Sequence, residues 1–104
     1  MGPEKRIQNA IIQALELRGW HCNVTHGNMY QSGFPDVYAI HPKKGQRWIE
    51  VKVKGAFAFT PAQKLWYPRM HACGIGIWVL MSVDEIHLLD HPPNLERVML
   101  GKLL

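Results

Sequence analysis

The chain has 104 residues, of which 47% are hydrophobic, enough for one domain around one modest core and too many for a disordered polymer. Its formal charge is +4 with six histidines counted neutral, a mild basic excess that fits an anionic partner without identifying one. The longest apolar run, Ile75 to Met81, falls far short of the ~20 residues that span a bilayer, and the first residues lack the basic start and apolar stretch of a secretory signal. No membrane role is expected. Two cysteines, Cys22 and Cys73, do not make a disulfide framework, so a cytoplasmic protein with reduced thiols is expected.

Taken in chain order, residues 4–18 place Ile7, Ile11, Ala14, Leu15 and Arg18 at helical spacing, and Gly19 is a stop signal. "WHCNVT", from Trp20, reads as a strand. "HGN" and "QSGFP" read as turn and loop. "DVYAI" and "RWIEVKV" read as two strands, and the joining "HPKKGQ" suits an antiparallel hairpin folded about Lys43 to Gly45. Thr60 is an N-cap, Pro61 the first helical residue and Gln63 the partner that completes a capping box. Pro68 falls inside this second helix, where a kink or an early break is expected. "IGIWVLM" is apolar throughout, as is a strand covered on both faces. "SVDEIHLL" reads as a short helix or as a turn before a strand. After "HPPN" the tail predicts a helical turn or two, with Leu95, Val98, Met99 and Leu103 on one side. The order is helix, three strands, helix, strand, tail. That is an α/β arrangement with one mixed sheet, in a single domain spanning 1–104 with a core of about 4–89 and a tail of 90–104.

Three polar residues interrupt the strands. Side chains alternate along a strand, so Glu50 and Lys52 share a face, while Ile49, Val51 and Val53 share the other. Asp36 opens the partner strand at the end away from the turn, close to Lys52. Two carboxylates and an ammonium then gather at one end of the sheet. Like charges at short range repel unless a cation lies between them. Magnesium suits such a place, with one or two carboxylates and several waters, and the Val51 carbonyl can add an oxygen. An ion held there can polarise a phosphodiester and activate water, with Lys52 offsetting negative charge. The plainer alternative is an Asp at a strand start and a Glu–Lys pair on a solvated face.

Pro35-Asp36 followed by Glu50-Val51-Lys52 resembles the PD-(D/E)XK nuclease signature. The wider pattern resembles the VRR-NUC branch: Glu4 and Gln8 on the first helix, Gly33-Phe34-Pro35-Asp36, Glu50-Val51-Lys52, Thr60-Pro61-Ala62-Gln63, then the strand from Ile75 to Met81. The resemblance runs to about Leu89. It implies a restriction-endonuclease-like αβββαβ core and cleavage of DNA dependent on Mg2+, with Mn2+ as a substitute. It further implies a preference for Holliday junctions or other branched DNA. Stand-alone members of phage type resemble dimeric junction resolvases, so a homodimer acting in a bacterial host cytoplasm is expected. Two rival readings are a nucleic-acid-binding module of the same fold that does not cut, and a nuclease of flaps, single strands or plain duplex.

Supporting residues follow. At 100° per residue Glu4 lies about 20° from Ile11, inside the apolar stripe, whereas Glu16 lies about 140° away. Glu4 therefore either faces the site, directly or through a water, or simply favours a helix N-terminus. Gln8, about 60° from Ile11, either reaches the site and its DNA or lies on the surface. Gln63 serves the capping box and can serve the site as well. Lys54 continues the Glu50–Lys52 face toward a phosphate or is an edge lysine. Lys43, Lys44 and Arg47 cluster at the hairpin turn, where they contact a DNA backbone or only solvent. Trp48, Trp66 and Trp78 read as core. Tyr30 and Phe34 flank the loop before Asp36, to pack there or to stack at a branch point. His21, Cys22 and His26, or His71 and Cys73, do not have structural-zinc spacing. No phosphate-binding glycine loop or dinucleotide fingerprint occurs, so no nucleotide cofactor is expected.

Overall fold

The computed structural model describes residues 1–25 and 33–103. Helix α1 (Pro3–Glu16) leads to strand β1 (His21–Val24). Strands β2 (Val37–His41) and β3 (Gly45–Val51) form the hairpin. Helix α2 (Pro61–Ala72) crosses to β4 (Ile77–Leu80), followed by a 3-10 helix (Val83–Asp90) and α3 (Leu95–Leu103). The sheet order is β1-β2-β3-β4, with the first three strands antiparallel and β4 parallel to β3. This is the mixed α/β fold expected of a restriction-endonuclease-like domain.

The strand alternation decides which layer each residue joins. Ile49 and Val51 of β3 and Trp78 and Leu80 of β4 pack with Ile11 and Leu15 of α1. Ile77 and Val79 of β4 turn the other way, onto Phe59, Tyr67 and Met70. All four β4 residues are buried, which explains their unbroken apolar run. Glu50 shares the α2 side with Val79, its partner across the parallel pair.

Helix α2 begins as expected. Thr60 accepts from the Gln63 backbone N–H, and Gln63 reaches back to the Thr60 N–H. The break expected at Pro68 does not occur, and the helix continues to Ala72. Proline removes one N–H, but buried Tyr67 and Met70 on either side anchor the helix through it. Trp66, expected in the core, is 38% exposed, because Gln63, Tyr67 and Met70 make up the inward side of α2.

The tail does form a helix, and it packs on its own domain. Leu95 and Met99 join the α2-side core, with Val98 against them. Asn94 clamps the outer edge of β4: its amide donates to the Val79 carbonyl at 2.9 Å and its oxygen accepts from the Val79 N–H at 2.7 Å. An unpaired strand edge is thereby covered from within. Leu95 and Met99 are thus buried within one chain; the Leu103 side chain and Leu104 lie outside the described residues. Both cysteines are free, and no described helix is long and apolar enough to cross a membrane.

Candidate active site

Asp36 is held by backbone on both sides of it. Gly33 sits at φ +97°, and a Cβ there would come within 3.4 Å of the Ala62 carbonyl and of Trp66 Cβ. The contact is an ordinary one, and it is the left-handed backbone that favours glycine here. Pro35 is fully buried, and its carbonyl accepts from the Thr25 hydroxyl. The Asp36 carbonyl accepts from the Thr25 N–H at 2.8 Å. The Asp36 side chain then reaches across to β3, where Oδ2 accepts from the Val51 N–H at 2.7 Å.

Glu50 and Lys52 do not lie on a solvated face. Glu50 is 1% exposed and Lys52 6%. Glu50 Oε1 accepts from the Tyr67 hydroxyl at 2.5 Å, and Oε2 from Gln63 Nε2 at 2.9 Å. Lys52 Nζ lies 3.1 Å from Glu50 Oε2 and also donates to Gln63 Oε1 at 3.0 Å and the Ala58 carbonyl at 2.9 Å. Three partners match the three donors of an ammonium. The Phe59 ring lies 4.8 Å from the same nitrogen.

Glu4 closes the cluster from α1. One carboxylate oxygen each of Glu4, Asp36 and Glu50 lie within 4.8 Å of one another. Their depth is graded, from exposed Glu4 through half-buried Asp36 to buried Glu50. Burial is the largest cause that lifts Glu50 to about 7, and the neighbouring Asp36 charge adds to it. Burial likewise raises Asp36 above the usual carboxylate range, with Glu4 contributing, while the Val51 N–H pulls the other way. Asp36 and Glu50 therefore both resist ionisation, and a cation beside them would favour their charged forms. Gln8, one turn after Glu4, is buried at 6%, and its Nε2 has no hydrogen-bond partner among the described residues. A donor left so costs about 1–3 kcal/mol unless water or a ligand satisfies it. The donor set is all oxygen, without sulfur or imidazole, and so fits a hard divalent ion such as magnesium.

The remaining candidates are placed elsewhere. Strand β3 ends at Val51, so Lys54 does not continue the Glu50–Lys52 face; it is exposed in a turn beside Gly55. Lys43 is exposed at the hairpin tip. Lys44 pairs with Asp90 at 2.7 Å. Arg47 donates to the Leu89, Lys44 and Gln46 carbonyls, with its guanidinium 4.9 Å from the Trp78 ring centre. These residues occupy the turn end of the hairpin, opposite the acids. Tyr30 and His26 lie outside the described residues. Tyr67 was missed by motif reading. Its signal was available, since it follows Gln63 by four residues and therefore shares its helix face.

The fold is that of a restriction-endonuclease-like α/β domain, and its likeness to a solved structure suggests a domain of nuclease type. Within that class the chain is similar to a solved VRR_NUC domain. The two align with a TM-score of 0.67 and 25% identity, covering 85% of this chain and 95% of that one. No family profile and no curated protein matches the sequence. The structural match supports a VRR-NUC domain, as the motifs from Glu4 to Met81 led one to expect.

Proposed function

We propose that the protein is a Mg2+-dependent endodeoxyribonuclease selective for branched DNA, Holliday junctions included. The observation that carries this reading is the convergence of the Glu4, Asp36 and Glu50 oxygens within 4.8 Å, with Lys52 Nζ 3.1 Å from Glu50. Asp36, Glu50 and the Val51 carbonyl would hold the ion, and Glu4 would do so directly or through a water. Such an ion polarises a phosphodiester and activates water near neutral pH.

The side chains have separable tasks. Gln63 and Tyr67 fix the Glu50 carboxylate, so its orientation is set before substrate arrives. Lys52 keeps its position through Gln63 and Ala58, and its third bond, to Glu50, is the one it can exchange for a phosphate oxygen or the attacking water. Gln8 offers its free N–H to water or to a phosphate beside the acids. Lys43 and Lys54 are exposed and able to touch the DNA backbone away from the scissile bond, whereas Lys44 and Arg47 would have to share contacts already made within the chain.

Resolving a four-way junction takes two opposed cuts, and one domain offers one centre, so a two-fold dimer is part of the reading. Labelled four-way junction, flap, duplex and single-strand DNA, each with Mg2+ and with chelator, test it. Junction cleavage with Mg2+ alone, with Mn2+ substituting, is expected. Binding without cleavage in either metal would leave the non-cutting module. Light scattering at micromolar concentration should give a dimer mass. A monomer making single nicks on a cruciform plasmid would point to a flap nuclease or nickase instead.

A further inference from the structure

On the α2 side, the described residues cover only half of the sheet. Helices α2 and α3 lie over β4 and the inner end of β3, whereas a row of rings begins on the paired residues of β2 and β3 beyond them. Tyr38 pairs with Trp48, and Trp48 precedes Glu50 by two, so all three share one face. The Tyr38 and Trp48 ring centres are 4.7 Å apart. Phe34 continues the row, 6.0 Å from Trp48 and 6.5 Å from Trp66. Arg69 ends it, with its guanidinium 5.8 Å from the Trp66 ring centre. Phe34 is 39% exposed and Trp66 38%, a large exposure for rings that could have been buried.

We propose that this aromatic row is a stacking platform for unpaired nucleotides next to the acid cluster. The inference rests on the nuclease reading for the identity of its strand as DNA. Three observations choose the occupant. The row is continuous with the site: Phe34 lies two residues before Asp36, Trp48 two before Glu50, and Trp66 three after Gln63. Its flank is cationic, since exposed Arg69 lies one turn on from Trp66 and α2 has no acidic residue. Its chemistry is rings with a guanidinium, the surface on which bases stack while the phosphates meet cations. At a flap or fork the paired strands part, and the platform would hold the bases freed there. It thereby selects DNA with unpaired nucleotides without reading their sequence.

The test is binding rather than cleavage. Fluorescence anisotropy in chelator compares a labelled oligo-dT strand with a blunt duplex across a salt series, for the native chain, Trp66→Ala and Phe34→Leu. Trp66 is partly exposed, and leucine keeps apolar bulk at residue 34, so thermal melts should report folded proteins. Removal of one stack should weaken single-strand binding about 5- to 150-fold, the equivalent of ~1–3 kcal/mol per base. The slope of log affinity against log salt should stay unchanged, because no phosphate contact is removed. Single-strand affinity within two-fold of the native value in both folded variants would overturn the proposal. So would a halved sedimentation mass in Trp66→Ala with strand affinity kept, which would make the row a contact with a second copy. A protein that binds oligo-dT through Trp66 and cuts nothing would overturn the nuclease reading and leave the platform standing.

Discussion

The two ends of the β2–β3 hairpin each hold a lysine–carboxylate pair, and the shorter pair is the less informative. At the turn, Lys44 meets Asp90 at 2.7 Å with both side chains well exposed. At the open end, Lys52 meets Glu50 at 3.1 Å with 8% and 1% of the side chains exposed. Water screens the first pair and leaves it little to contribute. The second is cut off from water and is tied into bonds from Gln63, Tyr67 and Ala58. Separation alone would rank them wrongly. Burial and the company each pair keeps distinguish a surface contact from a buried charge cluster.

The strongest way to break this contrast is Asp36→Asn. The variant removes one metal-binding charge and keeps an oxygen for the Val51 N–H, so cleavage should fall to background in a folded protein. Full turnover of folded Asp36→Asn would end the assignment of this site. Glu50→Gln is a less clean test, because it strips the buried Lys52 of its anion. Lys52→Ala comes next. It should slow cleavage on the order of 10²-fold, as for other groups that stabilise transition-state charge. Breaking a buried pair should also cost roughly 3–5 kcal/mol, read by chemical denaturation. Turnover within a few-fold of normal would show that Lys52 is only structural.

The two ends should also answer pH with opposite signs. Glu50 holds its proton to about 7 in the folded chain, against an ordinary 4.5, and Asp36 is raised as well. The folded state keeps protons that the unfolded state releases between those values. Stability in chelator should therefore fall as pH rises through that window and stay low above it. The melting temperature should drop on the order of 5 °C from pH 5 to pH 8, and Mg2+ should restore it at pH 8 but not at pH 5. A flat profile in chelator would mean that burial and the neighbouring Asp36 charge do not hold the Glu50 proton. Asp90, by contrast, is held below its usual range by the hydrogen bond from Lys44, so its contribution is present at neutral pH and lost in acid. The smallest effect belongs to Lys44→Ala, which should leave the melting temperature within error at physiological salt. A clear loss there would mean that the turn pair carries more than its exposure allows.

Much of this was legible in the sequence. Element order, the mixed sheet, the capping box and the shared face of Glu50 and Lys52 all follow from spacing along one strand or helix. Asp36 was placed near Lys52 by counting back from the hairpin turn. What failed depended on tertiary neighbours. Pro68 looks like a breaker until Tyr67 and Met70 are seen to anchor both sides. Trp66 looks like core until the inward side of α2 proves to be Gln63, Tyr67 and Met70. Lys54 looks like strand until β3 stops at Val51. Whether Gln8 and Glu50 are buried cannot be read from periodicity, because polar residues on an apolar stripe are only interpretable once their partners are known.

Gln63 ties the birth of helix α2 to the chemistry beside it. The same amide closes the capping box, holds Lys52 and steadies Glu50. A chain whose second helix has not yet formed has neither its lysine nor its glutamate in place. On the nuclease reading, cleavage would therefore depend on helix α2 being formed. That dependence is a consequence of one side chain serving two structures at once.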